Sequence, residues 1–434
     1  MKKILAIVLC VLMALALCAC KANKPNNDEN ETKNTAAPQN TEENQGGETG
    51  KDVSSLKIGV ILVGDENEGY TYAHIEGFKE AMNELGIKED QVTWKYVIPE
   101  NATCYDTACE LADAGCSIIF SNSYGHQSFM VQAAQEFPDV VFVPATGDTA
   151  NVCGLDNVVN IFPQTYQSRY VSGIVAGMKL KELMDNGTVT DPYVGYVGAY
   201  PYAEVVSGFT AFFLGIKAIV PDAHMDVMYT SSWFDLNKEN ETAKALMAKG
   251  CVIIGQHADS TGAPSAVEAA LKEGKVAYSV GYNIDMLKVA PTAALTSAQN
   301  NWSVLYKMVL QDFIDGKQVQ HDYTAGYEAD AVMISALGES CAPGTAEKVA
   351  EVIDAIKNGT FHVFDISTFT VDGKTLDSYV FDFSTMNADF TAVQYPGEKI
   401  EVVSDGYFHE SEYRSAPYFG IIIDGITSLT NTGN

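Results

Sequence analysis

Short apolar runs alternate along this chain with segments whose apolar residues recur at helical spacing. The run LKIGVILV at 56–63 predicts a β-strand. The next segment places Phe78, Met82 and Leu85 on one face of a predicted helix that Gly86 ends. Further predicted strands are 92–97, 116–121 and 140–143, with helices at 103–114 and 126–136. Apolar strands that alternate with amphipathic helices predict a parallel sheet with both faces covered.

The same alternation starts again after Val158–Phe162. The second set of predicted elements comprises helices at 165–184, 202–219, 237–249 and 260–273 and strands at 193–197, 225–229, 251–254 and 276–280. Two such sets predict an α/β fold of two doubly wound parallel-sheet lobes. A further strand and helix are predicted at 293–296 and 300–315, and residues 361–400 are the hardest part to place.

The loops after the predicted strands mark a candidate site, because doubly wound sheets bind ligands beyond the carboxyl ends of their strands. These loops carry aromatic, carboxylate, amide and imidazole groups but no lysine or arginine. Their notable side chains are Tyr70, Tyr72, His74, Tyr124, Tyr200, Tyr202, Trp233, Phe234, His257, Asp259 and Asp285. Stacking faces with a few polar groups suit a flat, neutral, hydrogen-bonding ligand, and a sugar fits less tightly. Some of these aromatic side chains are expected to belong to the core.

The N-terminus predicts export from the cytoplasm. Residues 1–20 combine two lysines with an apolar stretch too short to span a bilayer, which is typical of a signal peptide. LCAC at 17–20 resembles a bacterial lipobox with Cys20 as the lipid-modified first mature residue; an ordinary cleaved signal peptide is the alternative. Residues 21–52 contain no Val, Ile, Leu, Met or aromatic residue, which predicts a disordered tether. The expected location is the extracytoplasmic face of a bacterial cell membrane, with a lipid anchor.

The charge of the chain excludes some partners. It has 27 Lys and Arg against 56 Asp and Glu, a net charge of −29 at pH 7. Nucleic-acid binding needs clustered basic residues, so no nucleic-acid partner is expected. Arg169 and Arg414 are the only arginines, and arginine is the usual clamp for a doubly charged anion. The ligand is therefore expected to be neutral or cationic.

No sequence motif demands catalysis. A G-x-G-x-x-G after a strand, a P-loop and a G-x-S-x-G motif are all absent from the sequence. His257, Asp259 and Ser260 are too close in one loop to present nucleophile, base and orienting group to one another. The histidines and cysteines show no metal spacing, and the cysteines from Cys104 to Cys341 are expected to be free thiols. We predict a protein that is not an enzyme and that has no cofactor or metal.

Several loop strings are specific in combination. They are YTYAH at 70–74, SYGH at 123–126, SWFD at 232–235, QHADS at 256–260 and DGYFHESEYR at 405–414. Together they resemble the basic membrane protein family of ABC-transporter substrate-binding lipoproteins, also called purine nucleoside receptor-like, over residues 56–420. The resemblance implies a type I periplasmic-binding-protein fold, in which two lobes joined by a three-crossover hinge close on a ligand. It also implies a monomer that captures a purine base or nucleoside and delivers it to an ABC permease.

The resemblance implies roles for individual residues. Tyr70 from one lobe and Trp233 from the other would sandwich the purine ring. The edge of the ring would be read by Asp259, Asn283 and Asp285. The other expected ligand-binding residues are Tyr72, Tyr124, Glu204 and His257. The first lobe is expected to comprise 56–163 with about 286–320, and the second 164–285 with about 321–434.

The chain departs from the nucleoside-binding branch of that family in two places. GYNIDM at 281–286 stands where that branch has Gly-Val-Asp-x-Asp-Gln, and SAQNNW at 297–302 lacks the branch's lysine. Both changes fall where the ribose would bind, so a free base and a nucleoside are expected equally. Two alternatives stay open: a sugar-binding protein of the same fold, and a ligand-sensing lipoprotein that feeds a receptor.

Overall fold

Residues 50–387 and 389–429 are described by a computed structural model. Within them the helices are α1 (Gly69–Leu85), α2 (Ala102–Asp113), α3 (Gln127–Glu136), α4 (Thr165–Asp185), α5 (Ala203–Lys217), α6 (Leu236–Lys249), α7 (Gly262–Lys272), α8 (Trp302–Ile314) and α9 (Thr345–Lys357). The strands in the first part of the chain are β1 (Ile58–Ile61), β2 (Val92–Lys95), β3 (Ile118–Ser121), β4 (Val141–Pro144), β5 (Asn160–Ile161), β6 (Tyr193–Gly198), β7 (His224–Tyr229), β8 (Ile253–His257), β9 (Tyr278–Tyr282) and β10 (Ala294–Asn300). The later strands are β11 (Asp322–Tyr323), β12 (Val332–Ile334), β13 (Val380–Asp382), β14 (Thr385–Met386), β15 (Val393–Tyr395), β16 (Lys399–Glu401), β17 (Val403–Ser404), β18 (Tyr407–Phe408) and β19 (Ile426–Leu429).

Four parallel strands form the smaller of the two main sheets, in the order β2-β1-β3-β4. Side chains alternate between its two faces, as the period of a strand requires. Val60 and Phe120 pack with α1 and α8 on one face, while Ile61 and Ile119 pack with α2 and α3 on the other. Both faces are therefore buried, as the continuous apolar runs predict.

Seven strands form the larger sheet, in the order β12-β10-β9-β8-β6-β7-β19. All neighbours run parallel except β12, which is antiparallel to β10. Helices α4 and α5 cross closely on one face because glycines meet there: a Cβ on Gly173 would lie 2.1 Å from the carbonyl oxygen of Phe212. Helices α6 and α7 pack against each other on the other face, over Val197 and Ile254.

The chain passes between the two sheets three times. It crosses between β5 and α4, again between β10 and α8, and a third time between β11 and β12. The short strands β5 and β11 pair in parallel beside β4 at these crossings. We call the four-stranded sheet with α1–α3 and α8 the small lobe, and the seven-stranded sheet with α4–α7 and α9 the large lobe. This is the two-lobed fold with a three-crossover hinge that the sequence analysis expects.

The lobe boundaries can now be drawn on the strands. Strand β10 lies in the large lobe although residues from about 286 were expected in the other lobe, and α8 packs against α1 of the small lobe. We therefore propose a boundary near residue 301. The predicted signal peptide, Cys20 and most of the predicted tether lie outside the described residues. The end of that tether is ordered, because the backbone N–H of Lys51 donates to the carbonyl oxygen of Ile314 over 2.7 Å.

Most of the apolar residues after α9 pack on the large lobe. Their aromatic side chains join its core, and the rings of Phe364 and Phe419 stack with centroids 4.3 Å apart. Strand β19 then adds to the edge of the larger sheet beside β7. No helix in the described part of the chain has the length and apolarity needed to cross a membrane. The six cysteines in that part form no disulfide.

Candidate functional site

A cavity of about 370 Å³ lies where the carboxyl ends of the two sheets face each other. Ligands of doubly wound folds bind at this edge, and the volume is within the usual range for a small-molecule site. Its walls are lined by Val63, Gly64, Asp65, Glu68, Tyr70, Val97, Glu100, Ser123, Tyr124, Thr146, Glu204, Trp233, Phe234, Asp259 and Tyr282. The first ten belong to the small lobe and the last five to the large lobe, so both lobes would contact a bound molecule.

The wall of the small lobe is built on the first turn of α1. Glu68 caps this helix, since its carboxylate accepts hydrogen bonds from the backbone N–H groups of Tyr70 and Thr71, both at 2.9 Å. The hydroxyl of Tyr70 donates to the carbonyl oxygen of Asn122. The side chain of Asn122 in turn accepts from the backbone N–H of Val63 over 2.9 Å. The ring of Tyr70 is thus held in place at both ends, against the cavity.

The wall of the large lobe is built on the loop before α6. Asp235 caps that helix by accepting from two backbone N–H groups of its first turn, at 3.1 and 3.0 Å. The carbonyl oxygen of Trp233 accepts from the backbone N–H of Asp259 over 2.8 Å, which ties this loop to the end of β8. The indole of Trp233 lies 5.4 Å from the ring of Tyr200. An aromatic face is thereby placed at the cavity opposite the small lobe.

Carboxyl groups supply much of the cavity's polarity. The acidic residues of the wall are Asp65, Glu68, Glu100, Glu204 and Asp259, and no lysine or arginine is among the described lining residues. Burial raises the pKa of Glu204 to about 7 and also raises the pKa of Glu68. Burial, reinforced by the charges of Glu68, Glu239 and Glu204, raises the pKa of Asp259 well above its ordinary value. Part of this acidic wall is therefore uncharged at neutral pH.

A buried histidine and a buried arginine lie directly behind these carboxyl groups. The Nε2 atom of His257 lies 3.3 Å from Oε1 of Glu204. Burial and the charge of Arg169 lower the pKa of His257, so this contact is a hydrogen bond to a neutral imidazole. The guanidinium of Arg169 donates to the carbonyl oxygen of Gln256 over 2.6 Å and lies 3.7 Å from the centre of the Tyr282 ring. The ring of Tyr282 thus lies between a buried cation and the cavity.

The edge of the site offers both donors and acceptors. Asn283 donates from Nδ2 to the carboxylate of Asp259 over 2.6 Å, and its Oδ1 has no partner among the described residues. A neutral carboxyl group presents one O–H donor and one acceptor side by side, whereas a carboxylate only accepts. Aromatic faces with such an edge can bind a flat polar molecule that is neutral or positively charged.

The side chains of His257, Asp259 and Ser260 have separate hydrogen-bond partners in this cleft. The hydroxyl oxygen of Ser260 accepts from the backbone N–H of Gly262 over 3.0 Å, while His257 contacts Glu204 instead. His257, Asp259 and Ser260 therefore do not form a relay from nucleophile to base. Among the described residues, no three His, Cys, Asp or Glu side chains are grouped so that they could hold a metal ion.

The residues predicted from the sequence take three kinds of position. On the cavity wall lie Tyr70, Tyr124, Glu204, Trp233 and Asp259. Behind the wall lie His257 and Asn283, each bonded to a carboxyl group of the wall. Outside it lie Tyr72, which is 43% exposed on α1, and Asp285, whose carboxylate caps a turn at Leu287. For all nine residues, contact with a ligand stays a prediction.

Other residues of the site were missed from the sequence. Tyr282 lies inside the string GYNIDM and Glu68 lies two residues before the string YTYAH, but neither side chain was chosen. Arg169 lies in the middle of α4, far from any loop, so no local signal connects it with the cleft. His74, in contrast, was grouped with the site loops but belongs to the core, where it stacks on Trp302 at 3.9 Å and bonds to Tyr306.

Two parallel-sheet lobes, three crossings and a cavity between them are the architecture of the type I periplasmic-binding-protein fold. The chain belongs to the family described as ABC transporter substrate-binding protein PnrA-like, whose model matches residues 55–363. Proteins of this class bind a small molecule outside the cytoplasm and pass it to the permease of an ABC transporter.

Similar proteins agree with this assignment. A purine-binding protein of Brucella abortus is 33% identical over 312 residues, which cover 71% of this chain and 83% of that protein. A protein of Haloferax volcanii, named as a glucose-binding protein of an ABC transporter, is 27% identical and covers 76% of this chain and 78% of its own length. The crystal structure of an ABC transporter solute-binding protein from Aeropyrum pernix has a TM-score of 0.60 at 16% identity, and covers 71% of this chain and 93% of that one. The last likeness concerns the fold alone.

Proposed function

We propose that this protein captures a purine base or a purine nucleoside in the interlobe cavity and delivers it to its permease. One observation carries the proposal: Tyr70 and Trp233 bring aromatic side chains from different lobes to one cavity, and the ionisable groups of its wall other than tyrosines are all carboxyl groups. Rings on two sides favour a flat aromatic ligand, since offset stacking stabilises such pairs by about 0.5–1.5 kcal/mol each.

The polar groups of the cavity support a purine in particular. Purines carry ring nitrogens and exocyclic groups that donate and accept along one edge. Asp259 and Glu204 can offer such groups on the wall, because a neutral carboxyl group both donates and accepts, and Asn283 and His257 hold these two carboxyl groups from behind. A nucleotide is disfavoured because its phosphate would face five acidic residues without a lining arginine or lysine. The relative of Brucella abortus that is named as purine-binding supports the same choice.

The proposal includes a membrane anchor and a passive role. We infer that Cys20 carries the lipid and that the following residues tether the protein, as a monomer, to the extracytoplasmic face of the cell membrane. Binding and release accompany movement of the two lobes, without a chemical step. Incorporation of a labelled fatty acid that is lost on Cys20→Ala would support the anchor, and incorporation that persists would refute it.

A sugar is the second candidate, because the relative of Haloferax volcanii is named as a glucose-binding protein. Sugars also stack on aromatic rings and bond to carboxylates, so the lining alone does not exclude them. Sugars differ from purines in having hydroxyl groups around the whole ring, and they absorb no light near 260 nm. One panel of ligands that contains purines and glucose can therefore test both candidates.

The test is a thermal-shift panel on the mature protein with adenine, guanine, hypoxanthine, adenosine, guanosine and glucose. A ligand that binds the folded state raises Tm by mass action, in proportion to the logarithm of its concentration over Kd. We expect a rise with at least one purine and none with glucose. Mass spectrometry of the small molecules released from the denatured protein provides an independent check. A shift with glucose alone, or no shift with any purine at millimolar concentration, would overturn the purine proposal.

A further inference from the structure

A β-hairpin near the C-terminus lies across the rim of the cleft. Strands β13 and β16 pair at its base and β14 and β15 pair nearer its tip. We call residues 380–387 and 389–401 the strap. It lies beyond residues 55–363, which the family model matches, so family membership does not account for it. Its role must be inferred from its own contacts.

One side chain of the strap contacts both lobes. The ring of Phe390 stacks on Tyr124 of the small lobe, with centroids 6.2 Å apart and planes 12° apart. It also stacks on Tyr202, at the N-terminus of α5 in the large lobe, with centroids 5.9 Å apart and planes 23° apart. The three rings form a layered contact from one lobe to the other. Because the lobes must separate to admit a ligand, opening would break at least one of these two stacks.

The two ends of the strap are attached to different lobes. At its base, Phe381 and Phe383 pack on Tyr418 in the aromatic core of the large lobe, with ring centroids 5.3 and 5.0 Å apart. Nearer its tip, Tyr395 packs against the apolar cluster under α2 and α3 of the small lobe. The base of the hairpin therefore moves with the large lobe, while its tip rests on the small lobe.

A buried ion pair next to the strap joins the same two parts of the molecule. Arg414, from the C-terminal segment, donates from Nη1 to the carboxylate of Asp148 over 3.3 Å, and the two side chains are 9% and 12% exposed. Asp148 follows β4 in the small lobe. The guanidinium also lies 5.5 Å from the ring centre of Phe381. Separating the lobes would thus break this ion pair.

The backbone is strained at Phe390. The turn there holds this residue at a φ of 58°, a left-handed conformation that is unfavourable for a residue with a side chain. Asn387 maintains this turn, since its side-chain oxygen accepts from the backbone N–H groups of Thr391 and Ala392 at 2.9 and 3.0 Å. Strained residues of this kind are maintained where the surrounding structure requires them. Here the strain directs the ring of Phe390 into the gap between the lobes, where it remains 48% exposed.

Phe390 also borders a second cavity beside the first. This cavity of about 330 Å³ has Tyr202, Phe390 and Arg414 in its wall, and it shares Tyr124, Thr146, Glu204 and Trp233 with the wall of the first. The strap therefore stands on a route between solvent and the candidate binding cavity.

We propose that the strap is a latch that holds the lobes together and controls how fast ligand enters and leaves the cleft, with Phe390 as its bridging residue. The role of the latch in purine binding rests on the proposed function. The contacts of the strap with both lobes do not depend on which ligand binds. Without Phe390 the lobes open more often, so both the association and the dissociation rate constant rise while Kd changes less. A residue that only contacts ligand would change mainly the dissociation rate.

Two measurements on the mature chain test the latch, with Phe390→Ala and Tyr202→Ala as variants. The control is Val393→Ser, a 53% exposed position on the same hairpin. The first measurement needs no ligand: hydrogen–deuterium exchange in peptides covering 389–396 and the start of α3. We expect faster exchange in both variants and unchanged exchange in the control, because removal of a stack increases local opening.

The second measurement is stopped-flow mixing with adenine, followed by tryptophan fluorescence. We expect both rate constants to rise about tenfold in Phe390→Ala, the size that loss of two aromatic stacks would produce. Unchanged exchange, or unchanged rate constants in a protein that binds adenine, would overturn the latch. If the unmodified protein binds no adenine, the purine assignment fails for that base and the exchange result alone decides the latch.

Discussion

The Nε2 atom of His257 lies 3.3 Å from Oε1 of Glu204, and burial shifts the pKa values of both groups toward their neutral forms. Burial raises the pKa of Glu204 to about 7, whereas burial and Arg169 lower the pKa of His257. Below about pH 7 the carboxyl group is mostly protonated and can donate to the imidazole. The cleft is thus polar without being strongly charged at this point.

The first prediction concerns stability and pH. In the folded protein the pKa of Glu204 is raised from 4.5 to about 7, so the folded state binds more protons than the unfolded state between these values. The free energy of unfolding should therefore fall as pH rises from about 4.5 to 7, by at most about 1.4 kcal/mol per pH unit from this group. Below this window Glu204 is protonated in both states, so its ionisation does not lower the free energy of unfolding. Above the window the carboxylate is charged in both states, and the full cost of burying that charge is present.

Urea unfolding of the ligand-free protein at a series of pH values measures this dependence. In Glu204→Gln the free energy of unfolding should fall less steeply between pH 4.5 and 7 than in the unmodified protein. The matched control is Glu241→Gln on α6, where the side chain is 74% exposed, and there the slope should be unchanged. Equal slopes in Glu204→Gln and the unmodified protein would mean that Glu204 ionises in the cleft as it does in the unfolded chain.

The second prediction concerns aromatic stacking. Trp233→Ala removes the indole from the large-lobe wall, and Kd for the purine that binds should increase tenfold or more, because central aromatic residues dominate such sites. Isothermal titration calorimetry measures the change. Tyr72→Ala is the control, since this ring is exposed outside the cavity wall and its removal should leave Kd unchanged. An unchanged Kd in Trp233→Ala would assign the indole a structural role only.

The third prediction separates two aspartates that the sequence treats alike. Asp259→Asn keeps the volume of a wall residue but alters its hydrogen bond with Asn283. We expect Kd to rise about tenfold, the usual cost of one mismatched buried hydrogen bond. Asp285→Asn changes a carboxylate that caps a turn away from the wall and should leave Kd unchanged. The opposite order of effects would show that the ligand lies nearer to Asp285 than the cavity indicates.

The fourth prediction concerns a close approach behind the site. A Cβ on Gly208 of α5 would lie 2.6 Å from Nδ1 of His257 and 3.5 Å from Nε of Arg169. Gly208→Ala should therefore displace the imidazole and destabilise the protein by about 1–3 kcal/mol, the typical cost of overpacking. Gly420→Ala is the control, because its Cβ would meet only Ala203, at 3.9 Å. Thermal unfolding compares the two; equal Tm values would show that α5 can shift to accommodate the methyl group.

Up to α8 the sequence pattern predicted the strands and helices well, but it predicted no element after α8 and did not predict where the polar ends of the strands lie. The apolar runs predicted strands at 251–254 and 276–280, whereas β8 ends at His257 and β9 at Tyr282. The apolar run ends before the hydrogen bonds between the strands do, because the last residues of these strands lie toward the cleft instead of the core. His257 and Tyr282 are therefore held on strands, more rigidly than loop residues would be.

Charge reasoning from the sequence was correct for the wall and incomplete for what lies behind it. The loops do supply no lysine or arginine to the lining. Arg169 nevertheless shifts the pKa of His257, because α4 crosses the sheet behind β8. Its position in the middle of a helix gives no indication of this contact, which depends on how two elements 87 residues apart pack.

By itself, the sequence determined the βα alternation, the two lobes and the edge of the sheets that forms the candidate site, because these follow from local periodicity and from the geometry of parallel sheets. Only the tertiary structure decided which side chains meet: Tyr70 and Trp233 on one cavity, His257 on Glu204, and Phe390 between the lobes. Burial, and with it the pKa shifts of the cleft, arises from contacts between residues far apart in the chain. Such contacts have no local pattern, so they become visible only when the lobes are packed.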